Sequence, residues 1–144
     1  MHIDADLSPD LGFKVSAERV DKLFEEAAMA FANVILDTHT VLRKETKRTE
    51  LFSSSLDELM HAWLSEVNYL FQYEKFLPAE FVVEISGDET GGYRLNGTIS
   101  GEYLDGREHY IHKRVKTTLV KEHKLERLED GSLSASVYVY TSPE

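Results

Sequence analysis

A chain of 144 residues with 42% hydrophobic and 29% charged residues has an ordinary globular composition, enough for one compact domain with a sizeable core. Its formal net charge of −10 argues against direct, high-affinity binding of nucleic acid, where Lys and Arg must neutralise phosphates, and favours a protein partner. The absence of cysteine excludes disulfides, thiolate zinc sites and Cys nucleophiles, and the longest apolar runs are too short to span a bilayer.

The acidic start, MHIDADLSPD, lacks the positive region and apolar core of a secretion signal, so a cytoplasmic location without membrane attachment is expected. Leu11, Phe13 and Val15 alternate, predicting a short strand. Ser16 offers an N-cap, and Val20, Leu23, Phe24, Ala27, Ala28, Phe31, Val34 and Ile35 follow helical spacing, predicting a helix over Ala17–Ile35. Residues 37–44 read as a loop, and Glu45–Ser53 as a strand. Arg43, Lys44, Lys47 and Arg48 form a local basic cluster, read as a solvated face.

Ser55-Leu56-Asp57-Glu58 is a capping box. The apolar face Leu56, Leu59, Met60, Trp63, Leu64, Val67, Leu70 and Phe71 predicts a second helix over Leu56–Tyr73, with Trp63 in the core and His61 on the polar side. Pro78 blocks any continuation. Phe81, Val83 and Ile85, then Tyr93, Leu95 and Ile99, alternate on either side of Gly87-Asp88-Glu89-Thr90-Gly91-Gly92, which predicts a hairpin. Asn96-Gly97-Thr98 then marks a bend or close approach within a strand. Val115, Thr117 and Leu119 predict a strand that extends toward Leu125, and Leu133, Ala135, Val137 and Val139 predict the last, after a turn at Asp130-Gly131. The order β-α-β-α-β-β-β-β predicts an α+β fold with two helices packed on one face of a mainly antiparallel sheet.

Helix, hairpin, Gly101-Glu102 and the following Arg107 and His109, in this order and spacing, resemble the archease family. The similarity runs from about Asp6 to Tyr140 and is best in LFEEAAMAFANVI, LDELMHAWLSEVNYLF, AEFVVEI and GGYRLNGTISGEYLDGREH. The resemblance implies a doubled strand-helix-strand-strand domain. It also implies an accessory protein that promotes guanylylation and turnover of the GTP-dependent RNA ligase of tRNA splicing and RNA repair, without joining RNA itself. Family members carry an acidic divalent-metal site that combines an Asp in a His-Thr-Ala-Asp segment with an Asp at the end of the last strand. The first Asp falls on Asp10, while the His, Thr and Ala fall on Leu7, Ser8 and Pro9. The second Asp falls on Tyr140. Of the late Lys-Ala-Val-Thr-Tyr-His segment only Lys116 is kept.

A neutral phenol is a weak ligand, and hard cations want several oxygens, usually with more than one carboxylate. Calcium or magnesium is therefore expected to bind weakly or not at all, with Asp10 as the remaining metal ligand and Asp4 and Asp6 as candidate substitutes. Alternatively, Asp10 is a turn residue after Pro9. Glu102, His109 and Lys116 are candidate partner-binding residues; their ordinary readings are a solvated strand end, a hydrogen-bonded surface histidine and an exposed lysine. His109 and His112 would share a helical face but point oppositely on a strand, which disfavours a two-histidine metal site. No phosphate loop, nucleophile elbow or metalloprotease motif is present, so no enzymatic activity is expected. The altered site leaves a second expectation open: a divergent binding module with a lost metal site and another protein or small-molecule partner.

Overall fold

The computed structural model describes residues 11–104, 115–119 and 126–141. Strand β1 spans Leu11–Ala17 and helix α1 spans Val20–Ile35. The helix starts later than the Ala17 predicted from the Ser16 cap. Ser16 and Ala17 pair with Ser134 and Leu133 instead, and ladder hydrogen bonds take precedence over a local cap. Arg19 occupies the N-cap position in extended conformation without a side-chain cap. A short 3₁₀ helix, Thr38–Thr40, lies in the predicted loop and is capped by the Asp37 carboxylate, which accepts from the His39 N–H at 3.0 Å.

Strand β2 covers Glu45–Ser53, and helix α2 covers Leu56–Glu74. The Ser55 hydroxyl accepts from the Glu58 N–H at 3.1 Å, as the capping box requires. The return contact goes to the Ser54 hydroxyl, which donates to Glu58 Oε1 at 3.0 Å. Helix α2 ends before Pro78 acts on it. Lys75 turns the chain in the left-handed region (φ 59°) and donates its N–H to the Phe71 carbonyl.

Strand β3 spans Phe76–Asp88 and β4 spans Gly92–Tyr103. The hairpin forms as predicted, with Asp88 Oδ1 accepting the N–H groups of Thr90 and Gly91. Pro78 is tolerated because β3 is an edge strand and its register shifts between Pro78 and Glu80. Strands β5 (Val115–Leu119), β6 (Glu126–Arg127) and β7 (Leu133–Thr141) follow among the described residues. The described part of the predicted fifth strand ends at Leu119, and its proposed extension toward Leu125 lies outside the described residues.

Among the described residues all strand pairs are antiparallel and fall into two groups, β1-β7-β5 with β6 on β7, and β2-β4-β3. Both helices touch both groups: α1 meets β1, β7 and β3, while α2 meets β2, β3, β4 and β5. The core fills the space between helices and sheets. At its centre, fully buried Trp63 donates Nε1–H to the Phe24 carbonyl at 3.0 Å and stands edge-on to Phe81. Gly97 makes this packing fit: a Cβ there would lie 2.7 Å from Trp63 Cζ3. The close approach expected at Asn96-Gly97-Thr98 is thus a glycine under an indole ring. The opposite face of the three-stranded sheet is open to solvent, with Arg48, Glu50, Val82, Glu84, Arg94 and Asn96 exposed.

Candidate functional site

Strand β7 lies between β1 and β5, so one end of this sheet gathers positions far apart in sequence. Leu11 pairs with Val139, Thr117 with Tyr140 and Val115 with Thr141. The register shift between Val115 and Thr117 places Lys116 in a bulge opposite Tyr140 and Thr141. The first residues of β1, the last of β7 and the Lys116 bulge therefore meet at one edge. Asp10 and His109 lie outside the described residues, as do Asp4, Asp6 and His112. The two site positions that are placed here carry a neutral phenol and an ammonium, which offer a hard divalent cation no anionic oxygen. Among the described residues no group of three or more His, Asp or Glu side chains is arranged to hold a metal.

Glu102, at the end of β4, is buried rather than solvated, which corrects the reading of it as an exposed strand end. Its Oε2 accepts the Leu42 N–H at 2.9 Å, and its Oε1 lies 3.5 Å from Lys44 Nζ. The Lys44 N–H also donates to the Gly101 carbonyl at 2.9 Å. Gly101 is required beside it, because a Cβ there would run into the Leu77 carbonyl where β3 bulges. The Gly-Glu pair thus has a structural role: glycine admits the β3 backbone and glutamate fixes the 37–44 loop from inside.

The fixed loop walls a cleft of about 460 Å³ between α1 and the start of β3. Met29, Val41 and Ala79 supply apolar surface, and His39 and Arg43 stand at its rim. Asn33 Oδ1 accepts both the N–H and the hydroxyl of Thr38 at 3.1 Å, so the polar groups of this wall satisfy one another. Sequence reasoning missed this cleft because residues 37–44 show no periodicity. The one local signal was Asp37 ahead of Thr38, a cap for a short turn.

The basic cluster is exposed except for half-buried Lys47, and it is largely paired. Arg43 meets Glu80 at 3.0 Å, Lys44 meets Glu102 and Lys47 meets Glu74 at 3.0 Å. Lys47 Nζ also lies 5.4 Å from the Phe76 ring centre and 5.1 Å from that of Tyr103. The Tyr103 hydroxyl, and next the Glu74 carboxylate, push the Lys47 ammonium up to about 12. Carboxylates brought in by other elements therefore occupy cations that a phosphate backbone would need. Trp63 is core, and His61 is exposed on α2. No helix among the described residues is long and apolar enough to cross a membrane.

Comparison with known proteins agrees with this architecture. The model of the Archease protein family matches residues 4–139. A "Protein archease" of Methanosarcina mazei is 33% identical over 122 residues, covering 85% of this chain and 84% of that protein. The "Protein archease" of Methanothermobacter thermautotrophicus is 33% identical over 134 residues, covering 92% of each. The solution structure of Methanobacterium thermoautotrophicum protein 1598 superposes with a TM-score of 0.70 at 29% identity, covering 90% of both chains. With the family matched across nearly the whole chain and the same α+β arrangement of two helices on antiparallel strands, the chain belongs to the archease family.

Proposed function

We propose that this chain is a non-enzymatic accessory protein of a GTP-dependent RNA ligase, working in the cytoplasm through a protein contact. The observation that carries this reading is the family match over residues 4–139. The charge supports a protein partner over RNA: the net −10 is repulsive to phosphate, and Arg43, Lys44 and Lys47 are already engaged by carboxylates. The contact surface would be the sheet end that carries Lys116 and Tyr140, with His109, Asp10 and the loop held by Glu102 as contributors.

An activator must bind two ligase states with different free energies. In this reading the protein favours the state competent for guanylylation and is released after transfer. In this reading calcium or magnesium should bind weakly or not at all, because the second acidic position is Tyr140. Ligase guanylylation and multiple-turnover sealing, measured with and without this protein, test the reading. Stimulation of both is the expected result; unchanged rates at saturating protein would sink it. A second reading, a binding module with another partner, is favoured by the phenol of Tyr140, which stands where the family's second Asp would be. A pull-down that recovers a different protein and no RNA ligase would favour it.

A further inference from the structure

The second half of α2 presents Glu66, Tyr69 and Tyr73 at spacing i, i+3 and i+7, which places them on one helical face. Tyr69 and Tyr73 are 48% and 73% exposed, with ring centres 5.1 Å apart and planes tilted by 33°. Neither ring belongs to the core. Glu66 is half-buried, and among the described residues its carboxylate has no hydrogen-bond or ion-pair partner. Burial, and next the Glu74 carboxylate, hold the Glu66 carboxyl above its ordinary range. A cation placed here would relieve that unfavourable charge.

We infer that Glu66, Tyr69 and Tyr73 form a docking patch for an arginine-bearing segment of a protein partner. A guanidinium stacks flat on tyrosine faces and presents a fork of donors to a carboxylate, so one side chain satisfies all three groups. The aromatic pair alone would equally suit a nucleic acid base, but Glu66, Glu74 and the net charge of −10 repel the phosphate attached to it. The same charge steers a basic segment toward the surface. The inference stands apart from the ligase reading, since it requires only an exposed arginine on the partner.

The test titrates the full chain with a capped Gly-Arg-Gly-Arg-Gly peptide, its citrulline counterpart and a short oligouridylate, following the tyrosine ring resonances. The arginine peptide should perturb Tyr69 and Tyr73, and the citrulline peptide should not. Glu66→Gln, and Tyr69→Ala combined with Tyr73→Ala, should each weaken binding about five- to tenfold. Glu84→Gln, on the open sheet face, should keep wild-type affinity. The tyrosines are exposed and Glu66→Gln is isosteric, so folding is retained and is checked by thermal unfolding. Equal binding by all variants would mean diffuse attraction to an acidic protein and would overturn the inference. So would equal binding of the citrulline peptide, oligouridylate stacking on the tyrosines in its place, or unperturbed rings.

Discussion

Replacing Gly97 by alanine tests how tightly the fold is built around Trp63. The new Cβ would lie 2.7 Å from Cζ3 and 2.9 Å from Cη2 of Trp63, and 3.2 Å from Leu95 Cδ2. The ring has little freedom to retreat, because Nε1 is bound to the Phe24 carbonyl at 3.0 Å and its side meets Phe81 with centres 5.9 Å apart. Overpacking of this kind costs about 1–3 kcal/mol. Alanine recovers up to ~1 kcal/mol by restricting the unfolded chain, leaving a net loss of about 1–2 kcal/mol. At roughly 2.1 cal/mol/K per residue, the unfolding entropy of a chain this size is on the order of 0.3 kcal/mol/K, so Tm should fall by roughly 3–7 °C. Urea unfolding followed by circular dichroism gives the free energy, and the single Trp63 reports the local change by fluorescence. Phenylalanine lacks the outer ring that the Cβ strikes. In a Trp63→Phe background the Gly97→Ala cost should therefore shrink, with a coupling of about 1 kcal/mol. Stability within ~0.5 kcal/mol of wild type, or the same cost in both backgrounds, would refute the reasoning.

Glu102→Leu removes the buried carboxylate that accepts the Leu42 N–H and pairs with Lys44, so stability should fall by about 1–3 kcal/mol, with faster hydrogen exchange at the Leu42 amide. Glu102→Gln keeps an acceptor oxygen and should cost less; equal loss in the two variants would count against the loop-anchoring role. Lys47 is raised from 10.5 to about 12, so the stability that it contributes is fully present below pH 10.5 and is lost as pH rises through about 12. Lys47→Met should flatten that alkaline decline in the unfolding midpoint, and an unchanged slope would contradict the cluster. Glu66 carries the opposite sign for a carboxylate: its folded state holds the proton more tightly than the unfolded chain, so it subtracts stability as pH rises above 4.5. Glu66→Gln should therefore raise Tm at pH 7 and lose that advantage well below pH 4.5, read by calorimetry at the two pH values.

Local chemistry determined much of this protein before any long-range contact was known. The alternating residues and glycine-rich turn were enough for the β3–β4 hairpin, and the Ser55 cap with its apolar stripe for α2, because these signals act between residues a few positions apart. Glycine at position 97 was legible as a close approach, although the ring that approaches it was not. The tertiary structure alone decided the rest. Glu102 turns inward because Leu42, 60 residues away, brings it an N–H. Helix α1 waits until Val20 because the end of β1 is claimed by β7. The basic residues at 43, 44 and 47 lose their freedom to carboxylates on three other elements. The Lys116 bulge lies beside the end of β7 only because the last strand inserts between the first and the fifth. Each of these depends on strand register and on which side chain is desolvated. Both are set by the packed whole, and periodicity along the chain carries no record of them.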